Sequence, residues 1–255
     1  MLPALLNGRS TGLGARKMII EWEKDDTVAI ITLNNGENRH NPQFTRAILD
    51  AFAEIEKDES IYAVVITSSD EKNWSQGLDL SWIMDVVTKK DFRTIKDFYF
   101  SLNAMFKKIL LFPMPVIASI NGHAAGNGAI LACCCDFRLM KADRGYFFFP
   151  GVDINISYPS GIQEMIKKAF PYYKMEEAIL TGKRYDAKEL EKHHVIIKAC
   201  DNAEALRRES IAFAKTFKKK RRIFEEIKKQ INQHIITLLD NEDSAYIEGM
   251  DILKQ

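Results

Sequence analysis

Two short glycine-containing segments have the residue pattern needed to bind a negatively charged oxygen through backbone amides. They read WSQGLDL at residues 74–80 and HAAGNGAIL at residues 123–131. Each follows a strand-like run and leads into a helix-like run. The first N–H groups of a helix have no carbonyl partner within the helix and lie at the positive end of its dipole. Two such helix starts that converge would direct two N–H donors at one carbonyl oxygen, which is an oxyanion hole.

Phosphate and metal binding are the competing interpretations of this region. A P-loop requires Lys and Ser or Thr after its second glycine, and neither segment has that pair. Leu131 stands where a G-x-G-x-x-G motif has its third glycine. The consecutive cysteines at 133–135 have no C-x-x-C partner, and Cys200 alone does not complete a zinc site. We therefore expect no metal site, and we expect the three thiols to pack in the core.

Composition and cysteine usage limit the partners and the compartment. Charged residues make up 28% of the 255 residues and the formal net charge is +1, so no overall field attracts nucleic acid or an anionic membrane. No apolar run reaches the roughly 18 residues that a membrane span needs. Adjacent cysteines have poor geometry for disulfide bonds, which favours a reducing compartment. We expect a cytoplasmic protein with neither a nucleic-acid nor a membrane partner.

Alternating strand-like and helix-like runs must position the two glycine segments. Strands are predicted at residues 18–24, 27–34, 62–70 and 114–121. A helix is predicted to begin after Asn41, its N-cap, with Pro42 at the first position. Helical spacing puts four residues on the apolar face of that helix: Phe44, Ile48, Phe52 and Ile55. This alternation predicts an α/β fold with a parallel sheet.

The chain divides into three predicted parts. Residues 1–17 lie outside the periodic pattern and are interpreted as a leader or tag-like segment. Residues 18–190 form the predicted α/β core, which includes a short strand in GYFFFP and a helix that begins near Ser160. Residues 191–255 are mostly helical and strongly charged. A basic run in this last part, KKKRR at residues 218–222, is a candidate anion contact or a solvated helix face.

The two glycine segments together resemble those of the crotonase (enoyl-CoA hydratase/isomerase) superfamily. WSQGLDL is similar to the family pattern F-S-x-G-x-D-[LI], and NGHAAGNG to N-G-x-[AC]-x-G-G-G. Within this superfamily, the segments GLDLSWI, FPMP and ADRG are most similar to the Δ3,Δ2-enoyl-CoA isomerase branch. The resemblance implies a crotonase-like β/α spiral core with a C-terminal helical region that assembles homotrimers or dimers of trimers. It also implies an acyl-CoA thioester as substrate, with coenzyme A part of that substrate and no separate cofactor.

The resemblance also assigns roles to individual residues. The oxyanion-hole amides fall on Leu78 and Asn127, and the second of these has a side chain where the family usually has glycine. The implied substrate-binding residues around them are Asn38, Arg39, His40, Gly77, Asp79, Gly126, Gly128 and Gly161. For Asp79, capping of its own helix is an equally good interpretation. The run YFFFP and Trp82 suit an acyl chain or the core.

The sequence departs from the family at the acidic positions that move protons. The positions of the two hydratase glutamates fall on Ile130 and Gly151, and a third position used by some isomerases falls on Ser160. The sequence therefore lacks the two glutamates that the hydration mechanism of this family requires. The substitutes considered for the proton transfer are Asp153, Tyr158, Glu164 and His123. For His123 a structural hydrogen bond is favoured, and for Asp153 a capping role.

Three functions remain open from the sequence. The first is an enoyl-CoA isomerase-like enzyme that stabilises a thioester enolate. The second is an acyl-CoA-binding protein whose chemistry has lapsed. The third is other enolate or thioester chemistry on the same scaffold, as in a hydratase, a decarboxylase or a thioesterase. One oxyanion-hole donor contributes about 10²–10³ in rate, so the missing glutamates do not by themselves exclude an enzyme.

Overall fold

The structure is a computed structural model that describes residues 18–251. The predicted leader, residues 1–17, lies outside the described residues. In chain order the strands are β1 (Ile20–Asp25), β2 (Val28–Leu33), β3 (Arg39–His40), β4 (Ala63–Ser68), β5 (Asn73–Ser75), β6 (Gly77–Leu78), β7 (Val116–Ile120), β8 (His123–Ala125), β9 (Phe137–Lys141), β10 (Phe147–Phe148) and β11 (Lys198–Cys200).

Helices connect these strands and form most of the second half. In chain order they are α1 (Pro42–Lys57), α2 (Leu80–Thr88), α3 (Phe92–Leu110), α4 (Asn127–Cys134), α5 (Ser160–Ala169), α6 (Tyr172–Thr181), α7 (Ala187–Lys192), α8 (Ala203–Ala214), α9 (Arg221–Asp240) and α10 (Glu242–Glu248). A short 3-10 helix, Gly151–Ile154, precedes α5. The predicted N-cap is confirmed, since Oδ1 of Asn41 accepts from the amides of Gln43 and Phe44.

A six-stranded sheet forms the centre of the fold, in the order β1-β2-β4-β7-β9-β11. β1 and β2 are antiparallel, and the remaining neighbours are parallel. The predicted α/β fold with a parallel sheet is thereby confirmed. The sequence did not reveal β11, because this three-residue strand carries the exposed Lys198 and has no apolar run of its own.

Two small sheets bring the glycine segments together. β3 pairs in parallel with β6, with Arg39 opposite Gly77 and His40 opposite Leu78. β8 lies between β5 and β10, with Ala124 opposite Ser75 on one side and Phe147 on the other. The first glycine segment therefore continues from β5 into β6, while the second continues from β8 into α4.

The core lies on both faces of the central sheet, and its larger part contacts α1 and α3. The predicted apolar face of α1 is confirmed, because its members are fully buried: Phe44, Ile48, Phe52 and Ile55. Phe52 meets Phe112 edge to face at a centroid separation of 4.7 Å. Trp82 is partly buried and packs edge to face on the core residue Phe98, with the ring centroids 4.9 Å apart.

The last third of the chain is attached to the sheet through buried polar contacts. Nζ of Lys228 on α9 lies 2.7 Å from a carboxylate oxygen of Asp136 and donates to the carbonyl of Ile109 at 3.0 Å. Asn232 donates to the carbonyl of Leu110 at 2.9 Å. The predicted segment 191–255 thus supplies the edge strand β11 as well as helices.

One residue of the basic run, Arg221, makes a structural contact in this region. The guanidinium of Arg221 donates to the backbone carbonyls of Glu56, Asp58 and Ile61 at the end of α1. Positive charge at a helix C-terminus stabilises the helix dipole. Within residues 18–251 no helix is both long and apolar enough to cross a bilayer.

Candidate active site

The two glycine segments are in direct contact. Gly77 has a φ of +75°, and a Cβ on it would stand 2.7 Å from both the carbonyl oxygen of Ala125 and the amide nitrogen of Asn127. A Cβ on Gly128 would stand 2.8 Å from the side chain of Ser75. Real Cβ contacts do not come this close, so only glycine allows the two segments to approach each other at these points.

α4 begins at this contact with amides that have no partner in the helix. Gly126 is its N-cap, with a φ of +51°, and Asn127 is its first residue. The first i to i−4 bond runs from the amide of Ile130 to the carbonyl of Gly126 at 3.0 Å. The amide of Asn127 precedes that bond, so it is one of the free donors at the positive end of the helix.

Leu78 and Asn127 line the same cavity, which has a volume of about 290 Å³. Its wall is predominantly apolar and comes from α3, α4, the segment between β10 and α5, and α10. The lining side chains that make it apolar include Leu78, Leu80, Leu102, Phe106, Ile130, Phe148, Ile154, Ile156, Ile162 and Ile247. Such a cavity, with a few polar groups at defined points, is suited to a small apolar ligand with one polar end.

A buried hydrogen-bond network joins the side chain of Asn127 to the first glycine segment. Nδ2 of Asn127 lies 3.0 Å from Nδ1 of His40, and Nε2 of His40 lies 3.0 Å from Oγ of Ser75. Because the amide nitrogen can only donate, Nδ1 accepts and the imidazole proton is on Nε2. The hydroxyl of Ser75 then donates to the carbonyl of Asn38 at 2.8 Å.

His40 is neutral in this network. Its side chain is fully buried and stacks on Phe44 at 4.4 Å, and burial lowers the pKa of the imidazole to about 3. The side chain that replaces the usual glycine at position 127 is therefore bonded to an uncharged imidazole.

The predicted substrate-binding loop divides into one residue at the cavity and two inside the protein. Arg39 lines the cavity, and its Nε donates to Glu37 at 2.8 Å. Asn38 and His40 are fully buried, and Asn38 donates to Ser68 and to the carbonyl of Trp74. Their side chains hold this segment against the core, and their carbonyls accept from Ser75 and Asp79, so neither residue faces the cavity.

The other predicted binding residues lie close to the two segments. Gly126 lines the cavity, while Gly77 and Gly128 lie behind it at the segment contact. Asp79 caps α2, since Oδ1 accepts from the amide of Trp82 at 3.1 Å, and this confirms the capping interpretation. The amide of Gly161, in the first turn of α5, donates to Oδ1 of Asp243 at 2.9 Å.

Two of the considered acids do not line the cavity. Asp153 is exposed in the 3-10 helix and lies against Gly182. Glu164 pairs with Lys167 on its own helix and lies 3.6 Å from His234 of α9. Both side chains are therefore occupied at the surface or against other helices, outside the group of residues that face the cavity.

Tyr158 lies at the cavity, and His123 has a structural contact. The hydroxyl of Tyr158 accepts from the amide of Gly151 at 2.9 Å, and burial raises the pKa of this phenol to about 12. Nδ1 of His123 accepts from the amide of Tyr146 at 3.2 Å, which confirms the hydrogen bond expected there. In the aromatic run, Phe148 lines the cavity, whereas Phe147 and Phe149 are in the core.

The cysteine triplet packs in the interior, as predicted. Cys133, Cys134 and Cys135 are fully buried, and none of them forms a disulfide bond. Burial raises the pKa of Cys133 and of Cys135 to about 12, so neither is a ready thiolate. Among residues 18–251, no cluster of three or more His, Cys, Asp or Glu side chains has the spacing of a metal site.

A family profile described as enoyl-CoA hydratase/isomerase matches residues 23–248 of the chain. The chain belongs to the enoyl-CoA hydratase/isomerase family. The crotonase resemblance is thereby confirmed. One curated relative, the peroxisomal enoyl-CoA delta isomerase 2 of Arabidopsis thaliana, is 30% identical over 170 residues, which are 66% of this chain and 71% of the relative. Enoyl-CoA delta isomerase 3 of the same plant is 26% identical over 86% of this chain and 94% of its own length.

Solved structures show the same fold. Human mitochondrial delta3-delta2-enoyl-CoA isomerase superposes with a TM-score of 0.81 at 16% identity, covering 91% of this chain and 90% of that chain. An enoyl-CoA hydratase from Bacillus halodurans superposes with a TM-score of 0.80 at 20% identity, covering 92% and 98%. These superpositions confirm the predicted crotonase-like fold.

The cavity is apolar at the two positions where the sequence resemblance places the hydratase glutamates. Ile130 and Gly151 both line it, and Ile130 is 2% exposed. The structure also brings to the cavity two polar residues that the sequence did not single out. Asn103 and Asp243 line it, and each has one buried side-chain atom, Nδ2 and Oδ2, without a hydrogen-bond partner among the described residues.

No local signal in the sequence could have identified these two residues. Asp243 follows an acid in the charged run NEDSAYIEG, where a single carboxylate has the same appearance as those of a solvated helix. Asn103 is one polar residue within the long helix α3. Their places at the cavity of this family member depend on how α3 and α10 pack, which involves contacts across most of the chain.

Proposed function

We propose that the chain is an acyl-CoA enzyme of the enoyl-CoA isomerase type. The amides of Leu78 and Asn127 hold the thioester carbonyl oxygen and stabilise the enolate that forms when a proton leaves the adjacent carbon. The observation that carries this proposal is the contact of the two glycine segments at the cavity, where a Cβ on Gly77 would stand 2.7 Å from the amide nitrogen of Asn127.

The cavity and its edge supply the remaining requirements. Its apolar wall accommodates an acyl chain and excludes water from the enolate. Arg39, on the strand that pairs with β6, is a cationic group at the same cavity and is suited to the phosphate-bearing portion of coenzyme A. Coenzyme A enters as part of the substrate, so the proposal needs no separate cofactor.

The apolar residues at the glutamate positions favour isomerisation over hydration. Two-glutamate hydration places a general base and a general acid around one water molecule. Ile130 and Gly151 offer neither group. Moving a double bond within the acyl chain needs one proton carrier and no water. Isomerisation is therefore compatible with an apolar cavity that lacks both glutamates.

Turnover of defined acyl-CoA esters tests this function. Purified protein is given 3-enoyl-CoA and 2-enoyl-CoA esters of several chain lengths, and products are separated by chromatography and mass. We expect 3-enoyl-CoA to be converted to 2-enoyl-CoA, with no hydroxyacyl-CoA. Tight binding of the esters without any product would favour the lapsed binding protein. Release of free coenzyme A or carbon dioxide would favour a thioesterase or a decarboxylase.

We further propose that the chain forms a homotrimer or a dimer of trimers. Helix α9 presents an apolar stripe at intervals of one turn, with Ile223 47%, Ile227 51% and Ile231 61% exposed. Such a stripe is suited to a second copy of the chain. Light scattering after size-exclusion chromatography should give three or six chains, and Ile227→Glu should lower that number. Gln233→Glu places the same charge on another exposed part of α9 and should leave the number unchanged.

The cytoplasmic location stays a prediction. It is supported by the four cysteines, which are all unpaired and buried, as expected in a reducing compartment. Neither a nucleic-acid nor a membrane partner forms part of the proposal.

A further inference from the structure

Asp243 is a buried acid among the residues that line the cavity. It lies on α10 and is 2% exposed. Oδ1 accepts from the amide of Gly161 at 2.9 Å, which anchors the group at the first turn of α5. Oδ2 has no hydrogen-bond partner among residues 18–251. One oxygen is thus fixed, and the other lies buried beside Gly161 without a hydrogen bond.

An unpaired oxygen on a buried carboxylate is costly, so its presence needs a physical reason. Buried polar atoms are nearly always hydrogen-bonded, and a charged one without a partner loses solvation that nothing replaces. Capping α5 requires only one oxygen. The second would be satisfied by a proton or by a group of the bound substrate.

The surroundings of Asp243 make it a stronger base than an exposed acid. Burial raises the pKa of this carboxyl above its usual value, the amides of Gly161 and Ile162 lower it, and the neighbouring Glu242 raises it. A raised pKa brings a carboxyl group closer to the value at which it can both accept and return a proton near neutral pH.

The position of Asp243 relative to the glycine segments is also suitable. Its carboxylate is bonded to the start of α5, and α5 packs on α4, whose first residue is Asn127. Asp243, Leu78 and Asn127 line one cavity of about 290 Å³. Asp243 and the residues of the proposed oxyanion donors therefore belong to the wall of the same small volume.

Within residues 18–251, Asp243 has no competing carboxylate at the cavity. Asp243 is the only carboxylic acid among the described residues that line it. The other groups there that could release a proton include the phenols of Tyr99 and Tyr158, and burial raises the pKa of both. A phenol with a raised pKa is a poor acid, and its anion would be a costly base in this apolar setting.

We propose that Asp243 is the catalytic proton carrier, which rests on the proposed isomerase function. The Asp243 carboxylate takes a proton from C2 of a 3-enoyl-CoA. The electrons of the broken C2–H bond form the dienolate, whose oxygen is held by the amides of Leu78 and Asn127. Asp243 then returns the proton to C4, the C2=C3 bond forms, and the thioester carbonyl is restored. The step conserves all atoms and electrons and needs no other reactant.

Asp243→Asn is the decisive variant. Its carboxamide oxygen can still accept from Gly161, so the cap on α5 is kept while the proton carrier is lost. We measure isomerisation of 3-enoyl-CoA, exchange of the C2 hydrogens of a saturated acyl-CoA in D2O, the Kd of that ester, and the thermal midpoint. Both isomerisation and exchange should fall by about 10²-fold or more, with Kd changed by less than about threefold.

Two further variants separate catalysis from capping. Glu248→Gln removes an exposed charge from the last residue of α10 and should leave isomerisation and exchange unchanged. Asp243→Glu keeps an acid and should retain exchange that Asp243→Asn loses. If Asp243→Glu and Asp243→Asn lose exchange equally and both lower the thermal midpoint, the residue is a cap only and the proposal is overturned.

The outcomes also distinguish this proposal from the function on which it rests. If the wild-type protein isomerises 3-enoyl-CoA and Asp243→Asn does so at the same rate, another group carries the proton while the proposed function stands. If the wild-type protein shows neither isomerisation nor C2 exchange although the ester binds, the proposed function fails, and the role of Asp243 fails with it.

Discussion

The side chain of Asn127 bonds to His40, across 87 residues of sequence, at a distance of 3.0 Å between Nδ2 and Nδ1. This contact fixes the first residue of α4 to β3, the short strand that precedes α1. Through Oγ of Ser75 it continues into the first glycine segment, where Oγ also accepts from the amide of Gly77 at 3.2 Å. The two segments that carry the proposed oxyanion donors are therefore joined by side chains as well as by backbone contact.

Removing the Asn127 side chain should weaken the site without removing its amide. In Asn127→Gly, Nδ1 of the buried His40 loses its donor, and an unpaired buried acceptor costs about 1–3 kcal/mol. We expect that loss in the free energy of unfolding, measured by urea titration, and a smaller loss of turnover. In Asn127→Asp, a carboxylate faces a ring nitrogen that accepts, so the loss of stability at pH 8 should be larger. If Asn127→Gly has the same free energy of unfolding as the wild type, the contact between Asn127 and His40 contributes nothing to stability.

His40 should make stability depend on pH. The folded-state pKa is about 3, whereas an exposed histidine titrates near 6.5. Between these values the unfolded chain binds a proton that the folded chain refuses, so stability falls as the pH is lowered through this window. The slope reaches about 1.4 kcal/mol per pH unit for one proton. His40→Gln should remove this contribution from urea titrations between pH 7 and pH 4.

The matched control for that experiment is His234→Gln. His234 has a side chain that is 59% exposed, and it should keep the wild-type slope. If His40→Gln and His234→Gln both show the wild-type slope, His40 is not the buried neutral group described here.

Gly77→Ala should separate the two glycine segments. The added Cβ would meet the backbone of Ala125 and Asn127 at 2.7 Å, and backbone atoms cannot move aside as a flexible side chain can. Displacement of the Leu78 amide from the thioester oxygen should lower turnover by about 10²-fold or more. Turnover of 3-enoyl-CoA and the Kd for an acyl-CoA ester measure this effect.

Gly36→Ala is the control for backbone strain. Gly36 also has a positive φ, +57°, but a Cβ on it meets no atom within 4 Å. It should cost about 1–2 kcal/mol in stability and leave turnover unchanged. Equal losses of turnover in Gly36→Ala and Gly77→Ala would attribute the effect to strain rather than to the contact of the segments.

Lys228→Met should destabilise the chain strongly. Lys228 is 2% exposed, and its loss leaves the carboxylate of Asp136 without its cation. Removing one partner of a buried ion pair costs about 3–5 kcal/mol. Lys229→Met removes the neighbouring lysine, which pairs with Glu225 at the surface, and should change stability by less than about 0.5 kcal/mol. Urea unfolding of both variants gives the comparison, and similar values for the two would contradict the role of the buried pair.

The sequence predicted features that depend on residues close together in the chain. The helix α1, with its Asn41 cap and buried Phe52, follows from local spacing. The two glycine segments also carry their own signal, because a turn that allows close approach needs glycine within a few residues. The short strand β11 was missed, since its pairing with β9 is decided by the sheet and not by three residues of its own.

Side-chain direction in the site depended on contacts distant in sequence. Glu164 was considered for the cavity, but its pairing with Lys167 and its approach to His234 place it against α9. Asp243 was not singled out from the sequence, and its bond to Gly161, 82 residues away, fixes it beside α5. Periodicity gives the face of a helix only relative to that helix, so it could not decide between these two acids.

The contribution of α10 to the cavity wall has a consequence for shortened chains. A chain that stops before α10 keeps the residues of both glycine segments but lacks Asp243 and Ile247. That side of the cavity would then be open to water. Under the proposed function, such a chain would retain the oxyanion donors without the closed apolar wall that shields the enolate.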